Sequence, residues 1–395
     1  MKRFVFTIVW ITAVSSDATG AELALPVSAL TIVSSQTESH REAIRTIETG
    51  NPDWKWETGS FDLETVMAQN KIAGMSIAVI EDFEIAWTRE YGYAHIAESQ
   101  RVVPTTLFQA ASITKSVTGM AVLSAVEQGR FGLDDSINDL LTSWRLPKNE
   151  LTAKRAVTPR MLLSHTAGTT VSGFRGYWPD EELPSLIDVL NGTGTANTDA
   201  VLVDTEPHTQ FRYSGGGYAV LQQTLEDLYA ENYAEIVDRI VLAPIGMRDS
   251  TLGKVITPED APNAAHAFGG RMRAPWHVYV SASLWTTPTD LAKFAISLQK
   301  ALRGDADGVL SPRMARTMVT PSELSDTYGL GISRHVADGN NIYFTHGGVN
   351  WGYVCRLIAH TEKGHGVVIM TNGTSRGNIS QEIIRRVAAT HGWNE

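Results

Sequence analysis

The sequence has very little cysteine and no excess of positive charge. Cys355 is the single cysteine among 395 residues, so an intramolecular disulfide is excluded and the protein must be stable through packing alone. The formal net charge of -10 leaves no basic stripe for nucleic acid, so we expect no nucleic-acid partner. Cys355 lies in an apolar, strand-like run, which favours a small core residue over a reactive thiol.

Motifs for metals and cofactors are also missing. The chain has no His-Glu-x-x-His motif and no paired cysteines, and its histidines are scattered along the sequence. Metal sites in proteins usually need such ligands at short, regular spacing. We therefore expect a protein that works without a metal and without a cofactor.

A long apolar run is absent too, although a short one follows the first residues. Lys2 and Arg3 precede the apolar stretch from Phe4 to Val14, and the small residues Ala18-Thr19-Gly20 come next. This is the layout of a secretory signal peptide, and the apolar stretch is too short to span a bilayer. We expect cleavage near Ala21, a periplasmic or secreted protein, and no stable membrane insertion after cleavage.

One stretch of the chain predicts a central helix, from Ser112 to Gln128 and ending at Gly129. Beyond its first turn the helix is apolar around almost its whole circumference, which is typical of a helix packed on all sides. The apolar residues are Val117, Met120, Ala121, Val122, Leu123, Ala125 and Val126. A nucleophile at the start of this helix would face unpaired backbone N–H groups and the positive end of the helix dipole.

The pattern Ser-x-x-Lys occurs twice, and only its context separates the two copies. Ser112 and Lys115 open the predicted central helix, where the three-residue spacing puts both side chains on one face. Ser297 and Lys300 instead lie late in an amphipathic helix that begins with Thr287 as its cap and a proline at its first position. We expect chemistry at the first copy only.

Strand-like segments cluster at both ends of the chain. The segments 75–80 and 85–89 predict a hairpin, and 342–345, 353–359 and 367–370 predict three later strands. We expect an α/β protein of the α+β type, with one antiparallel sheet built from both chain ends, flanking helices, and an inserted helical lobe over about 130–285. The expected domains are a signal peptide over 1–20, a peripheral segment over 21–58, and one catalytic domain over 59–395.

Several separated stretches together resemble one family, the penicillin-recognising serine hydrolases. The matching stretches are Thr106-Leu107-Phe108 with Ser112-Ile113-Thr114-Lys115, Leu133-Asp134-Asp135, Leu162 to Gly168, Tyr213-Ser214-Gly215, Pro244-Ile245-Gly246-Met247, Thr287-Pro288-Thr289-Asp290-Leu291 and His346-Gly347-Gly348. Their order is similar to that of the class C β-lactamase-related branch, which includes D-alanyl-D-alanine carboxypeptidases, D-aminopeptidases and family VIII esterases. The resemblance implies a β-lactamase/transpeptidase-like fold.

The resemblance also implies roles for particular residues. Ser112 would be the nucleophile that forms an acyl-enzyme, and Lys115 would have its pKa lowered by burial. Tyr213 would be general base or proton relay, its phenol made more acidic by the lysine. Gly348 would let a substrate backbone approach closely, and the N–H groups of Val349 and Ser112 would form the oxyanion hole.

Two positions depart from the commonest family pattern. His346 stands where many relatives have lysine; its imidazole would contact a substrate carboxylate, steady the hydroxyl network, or serve structure alone. Gly215 stands where relatives usually have an asparagine that touches the acyl-amide group of the substrate, so recognition of that amide should be weakened. His165, in the stretch from Leu162 to Gly168, is expected to fix a turn.

The resulting expectation is an exported serine hydrolase that cleaves ester or amide bonds of a small molecule or peptide, as an esterase or a D-amino-acid peptidase would. Two alternatives stay open at this point: a true class C-type β-lactamase, and a non-catalytic binder of cell-wall peptide. The retention of Ser112, Lys115 and Tyr213 argues against a binder, because binding alone does not need all three. Nothing in the sequence specifies an oligomeric state.

Overall fold

The structure is a computed structural model that describes residues 37–49, 62–178, 181–252, 261–268, 282–373 and 379–393. The predicted signal peptide lies outside these residues, as does most of the predicted peripheral segment. Within that segment helix α1, Glu38–Thr49, is described, and its Ile44 and Ile47 are buried. The proposed domain boundaries and the signal peptide stay predictions.

A seven-stranded antiparallel sheet is assembled from both ends of the chain, as predicted. Its strands are β1 Ile72–Glu81, β2 Glu84–His95, β3 Gln100–Arg101, β6 Ser333–Ala337, β7 Asn341–Asn350, β8 Tyr353–His360 and β9 Gly366–Gly373. They lie in the order β3-β2-β1-β9-β8-β7-β6. The ladder between β1 and β9, in which Ile77 lies opposite Ile369, joins the early and late strands. A second, two-stranded sheet pairs β4 Phe108–Gln109 with β5 Trp285–Thr286.

Helices cover both faces of the large sheet, and the sequence of β1 explains why. Alternate residues of a strand point to opposite faces, and β1 is apolar on both of them. Ala78 and Ile80 join the main core, while Ile77 and Val79 join a second core that includes Ile47 of α1. A strand buried on both sides needs apolar residues in succession rather than in alternation.

Among the residues that the structure describes, the remaining α-helices, numbered in chain order, are short except for four. They are α2 Leu63–Gln69, α3 Thr114–Glu127, α4 Ile137–Leu140, α5 Glu150–Lys154, α6 Pro159–Leu163, α7 Leu186–Asn191, α8 Gly215–Tyr229, α9 Tyr233–Val237, α10 Ala243–Ile245, α11 Pro288–Arg303, α12 Pro312–Val319 and α13 Ile379–Thr390. Helices α4 to α10 all lie within 130–285, the range over which the sequence predicts a helical lobe. Among the described helices, none has both the length and the apolar character that crossing a membrane requires.

Helix α3 is the predicted central helix, and it is buried from Thr114 to Ala125. Its polar side chains have partners inside the protein, as burial of polar groups requires. The Ser116 hydroxyl donates to the Gly331 carbonyl at 2.8 Å, and the hydroxyls of Thr118 and Tyr233 are 2.8 Å apart. The helix begins two residues later than predicted, because a 3₁₀ turn, Ala111–Ile113, precedes it.

Candidate active site

Ser112 lies in the 3₁₀ turn that leads into α3. The residue before it, Ala111, has a positive φ of 48°, a backbone conformation that costs a non-glycine residue roughly 1–2 kcal/mol. Surrounding contacts hold the turn: the Ala110 N–H donates to the Leu284 carbonyl at 2.8 Å, and the Thr114 hydroxyl donates to the Ala111 carbonyl at 2.6 Å. The serine is therefore presented on a turn that the rest of the fold fixes in place.

Strand β7 packs closely against this turn at Gly348. A Cβ atom added to Gly348 would lie 2.1 Å from the Ala110 carbonyl oxygen, so only glycine fits there. The ladder between β6 and β7 ends at the pair Ser333 and Thr345. The second half of β7, which carries Gly348 and Val349, lies beyond that ladder and faces the serine turn, as the predicted substrate edge requires.

The structure brings Ser112, Lys115 and Tyr213 together. The Lys115 Nζ atom is 3.2 Å from the Ser112 Oγ atom. The Tyr213 phenol is hydrogen bonded to the Ser112 side chain, and its ring centroid is 5.0 Å from Lys115 Nζ. Tyr213 comes from the segment directly before α8, about a hundred residues after the serine, so the fold has brought one distant side chain to a hydroxyl that Lys115 contacts from the adjacent helix turn.

Burial changes the acidity of two of these groups. The pKa of the fully buried Lys115 is lowered to about 7 by desolvation, as the sequence predicted, because burial disfavours the charged amine. The pKa of Tyr213 is raised to about 12 by burial, against a smaller lowering from its hydrogen bond to Ser112. The expectation that lysine makes this phenol more acidic was wrong, because burial of the phenolate raises its pKa and the opposing effect comes from Ser112.

His346 is buried beside these residues. Its Nδ1 atom is 2.7 Å from the Gly347 carbonyl, which can only accept, so Nδ1 carries the proton. The Nε2 atom then accepts from the Tyr328 hydroxyl at 3.3 Å. Burial, together with the charge of Lys115, lowers the pKa of His346 to about 4. The imidazole is thus neutral near pH 7, which favours the hydroxyl-network role over a cation for a substrate carboxylate.

Tyr328 is a site residue that sequence reasoning missed. It is buried beside His346, and its hydroxyl donates its single proton to the His346 Nε2 atom. Tyr218 donates to the Leu163 carbonyl at 2.9 Å. Tyr328 belongs to no motif and precedes β6 in an irregular segment, so no sequence signal points to it. The ring of Tyr328 also packs beside that of His165, with centroids 4.9 Å apart.

His165 fixes a turn, in the manner expected of it. Its backbone has a positive φ of 58°, and its Nδ1 atom accepts a hydrogen bond from the Ser214 N–H at 3.1 Å. The ring packs against Tyr213, with centroids 4.2 Å apart. Burial, with smaller contributions from Lys115 and His346, holds the pKa of His165 well below its usual range. This neutral imidazole positions the backbone and the ring of the Tyr213 segment.

Gly215 opens α8 directly behind Tyr213, and an aromatic ring fills the space beside it. A Cβ atom added to Gly215 would lie 3.0 Å from the Cε2 atom of Phe174. The segment that carries Phe174 is joined to the helix start, since the Gly215 N–H donates to the Ser172 carbonyl at 3.1 Å. Phe174 therefore occupies part of the room in which a longer side chain at position 215 would lie.

The other candidate groups lie elsewhere. Ser297 and Lys300 are in the second half of α11, away from its start. Cys355 is buried and donates to the Gln109 carbonyl at 3.0 Å, and burial raises the pKa of its thiol to about 12. Within the described ranges, no three His, Cys, Asp or Glu side chains are grouped to hold a metal ion.

A Gly-x-Ser-x-Gly pattern also occurs, at residues 373–377. In α/β-hydrolases this pattern forms a sharp turn that exposes a nucleophilic serine at the top of the sheet. Here Gly373 ends β9 of an antiparallel sheet, and Ser375 lies outside the described residues. The pattern therefore adds no second candidate nucleophile among the residues that the structure describes.

Comparison with known proteins gives consistent matches over most of the chain. Residues 62–391 match the Beta-lactamase family. Protein flp of Staphylococcus aureus strain MW2 is 22% identical over 78% of this chain, and the match covers 61% of that relative's length. Penicillin-binding protein 4* of Bacillus subtilis strain 168 is 21% identical over 83% of this chain and 74% of its own length.

Solved structures share the fold. The octameric penicillin-binding protein homologue from Pyrococcus abyssi has a TM-score of 0.69 at 23% identity, over 84% of this chain and 76% of its own. A beta-lactamase/D-alanine carboxypeptidase from Yersinia pestis complexed with citrate has a TM-score of 0.64 at 21% identity, over 83% of this chain and 96% of its own. These likenesses confirm the predicted β-lactamase/transpeptidase-like fold.

Proposed function

Because this chain belongs to the Beta-lactamase family, we propose that it is a serine hydrolase that cleaves an ester or amide bond through an acyl-enzyme formed on Ser112. The observation that carries the proposal is the contact between Lys115 Nζ and Ser112 Oγ at 3.2 Å. An amine with a pKa of about 7 at that distance is a competent proton acceptor at neutral pH. A serine hydroxyl needs such a base, because it is a weak nucleophile by itself.

Acylation follows from this contact. Neutral Lys115 takes the proton of the Ser112 hydroxyl as its oxygen bonds to the substrate carbonyl carbon. The Tyr213 phenol, hydrogen bonded to Ser112, passes a proton to the leaving alcohol or amine and regains one from the Lys115 ammonium. With its pKa at about 12, Tyr213 works as a neutral hydroxyl that relays protons. It is not a phenolate before the reaction begins.

The negative charge that forms on the carbonyl oxygen needs fixed hydrogen-bond donors. We assign this role to the N–H groups of Ser112 and Val349. The close approach of Gly348 to the Ala110 carbonyl supports the assignment, since it brings this part of β7 against the serine turn. Such preorganised donors are worth about 10²–10³-fold in rate each in serine hydrolases.

Deacylation uses the same groups in reverse roles. Water approaches the acyl carbon, and Lys115, through Tyr213, takes one of its protons. The bond between the acyl carbon and Ser112 Oγ then breaks, and the proton returns to the serine oxygen. No cofactor enters this cycle, and the acid product leaves with the free enzyme restored.

The site supports esters or small amides better than substrates with a required carboxylate. His346 is neutral near pH 7 because burial lowers its pKa to about 4, so it offers no positive charge to the carboxylate of a D-peptide or a β-lactam. Gly215 supplies no side-chain amide for an acylamino group. A D-amino-acid peptidase and a β-lactamase are therefore the weaker alternatives, and a non-catalytic binder would have no use for the Lys115 contact.

The test is activity-based labelling combined with a substrate panel. The purified protein is offered a fluorophosphonate probe, a p-nitrophenyl ester, a chromogenic cephalosporin and a D-alanyl-D-alanine peptide. We expect labelling and ester turnover that Ser112→Ala abolishes and Ser297→Ala, in the second Ser-x-x-Lys copy, leaves intact. Turnover chiefly of the cephalosporin or the peptide would favour the corresponding alternative, and absence of labelling would favour a binder.

We also propose that the protein is exported to the periplasm or beyond, with residues 1–20 removed. The basic start, the short apolar stretch and the small residues before Ala21 support this proposal. Amino-terminal sequencing of protein recovered from the extracytoplasmic fraction should begin near Ala21. Recovery of the uncleaved chain from the cytoplasm would contradict it.

A further inference from the structure

Phe174 lies where the family's asparagine side chain would point, beside Gly215. The ring is within 3.0 Å of a Cβ atom built on Gly215, and backbone hydrogen bonds hold its segment there. The N–H of Gly216 donates to the Val171 carbonyl at 2.9 Å, and the Ser214 hydroxyl donates to the Thr170 carbonyl at 2.7 Å. The first amides of α8 thus hold the segment that carries the ring.

Other aromatic side chains lie on the segments that carry Tyr213, Phe174 and the end of β7. Phe211 precedes Tyr213 by two residues and packs against the Tyr328 ring with centroids 5.5 Å apart, yet 37% of it is exposed. Trp178, a little further along the Phe174 segment, meets Trp351 edge to face at 5.4 Å. Trp351 follows β7 directly and is 46% exposed.

The segment 171–178 therefore connects the start of α8, which follows Tyr213, with the turn that follows β7. At one end Phe174 touches the start of α8 behind Tyr213, and at the other end Trp178 reaches the turn that follows β7. A substrate acyl group bound between Ser112 and this segment would contact aromatic carbon. It would find no side-chain amide at Gly215.

We propose that Phe174 is the wall of an apolar acyl pocket, and that the preferred substrates are esters whose acyl group is a plain aryl or alkyl chain without an acylamino substituent. This inference rests on the proposed serine hydrolase function and adds its substrate class. An aromatic wall gains contact with each carbon of an apolar acyl group, whereas an acylamino group would lose hydrogen bonds to water without regaining them.

The test compares three p-nitrophenyl esters with one leaving group: acetate, phenylacetate and N-acetylglycinate. For Phe174→Ala we expect the ratio of kcat/KM for phenylacetate to that for acetate to fall about tenfold, the size of effect that lost apolar contacts produce. Phe174→Leu should restore most of the ratio. The double variant Phe174→Ala with Gly215→Asn should raise the ratio for N-acetylglycinate over phenylacetate about tenfold above that of the unaltered protein.

A matched control removes an aromatic ring far from the cleft. Phe83→Ala, in the turn between β1 and β2, should leave all three ratios within about twofold. Equal losses for acetate and phenylacetate in Phe174→Ala would assign the ring a structural role alone and overturn the pocket. Turnover that depends on Ser112 but lacks any acyl preference would overturn the pocket and leave the hydrolase function standing. Absence of turnover that depends on Ser112 would overturn both.

Discussion

Gly348→Ala should disable the site, because β7 and the serine turn meet at this residue. The added Cβ would lie 2.1 Å from the Ala110 carbonyl oxygen and 3.1 Å from both the Ala110 carbonyl carbon and the Ala111 Cβ. Ordinary contact begins near 3.4 Å, so the strand and the turn must separate by roughly 1 Å. A displacement of that size between reacting groups costs about 100-fold in rate.

The strand offers its own control one residue earlier. A Cβ added to Gly347 would point to the opposite face, where the nearest atom is Arg356 Nη1 at 3.5 Å. Gly347→Ala makes the same chemical change to the same strand, but without a clash. We expect it to keep kcat/KM within about twofold, as substitutions without a steric or polar conflict usually do.

The assay is kcat/KM for a p-nitrophenyl ester, together with the rate of fluorophosphonate labelling and the melting temperature of each variant. Gly348→Ala should lose about 100-fold in both rates and about 1–3 kcal/mol in stability, the usual cost of overpacking. Full activity in Gly348→Ala would refute the view that the close approach of β7 to the serine turn fixes the geometry of the site. An equal loss of activity in Gly347→Ala would also refute this view, because the smaller backbone freedom of alanine relative to glycine would then explain the loss in both variants.

Three further outcomes are expected. In the proposed mechanism the neutral form of Lys115 is the active one, and its pKa is about 7, so kcat/KM should rise about tenfold per pH unit below pH 7 and level off above it; a flat profile from pH 5 to 9 would contradict this. Tyr328→Phe leaves His346 Nε2 without its donor, so denaturant titration should give a loss of about 1–3 kcal/mol, and ester kinetics a lower kcat. Asp290→Ala removes a buried carboxylate that accepts from Ser250 and pairs with Lys293 at 2.7 Å; because Lys293 is one-third exposed and stays hydrated, urea unfolding should report a loss of about 1–3 kcal/mol, from the lost hydrogen bonds, with kcat/KM retained.

Much of the fold was predictable because the apolar sequence pattern of the strands and of the central helix agrees with their burial in the structure. The apolar residues of β1 and β9 predicted strands, and each proved a few residues longer than its apolar centre because flanking residues such as Gly74 and Thr371 continue the ladder. The apolar circumference of α3 predicted the central helix. The cap at Thr287 was visible in the sequence, and its side chain accepts from the Asp290 N–H at 3.2 Å.

The site was predictable only as far as its motifs extended. The positions of Ser112, Lys115 and Tyr213 came from the order of family-like stretches, and their catalytic roles stay predictions. Tyr328 and Phe174 come from irregular segments whose neighbours are set by tertiary packing, which no local pattern encodes. The acidity of Tyr213 was also beyond the sequence, because it depends on how far the fold buries the phenol.

The pairing of β1 with β9 has a consequence for how the protein is made. Ile77 and Ile369 lie opposite each other although nearly three hundred residues separate them, and contacts this distant in sequence slow folding. A growing polypeptide that has not yet reached β9 lacks the central partner of its first strand, and β7 emerges shortly before it. A chain cut short before residue 340 would hold the serine turn without the strand that packs against it, so partial translation products should carry no hydrolytic activity.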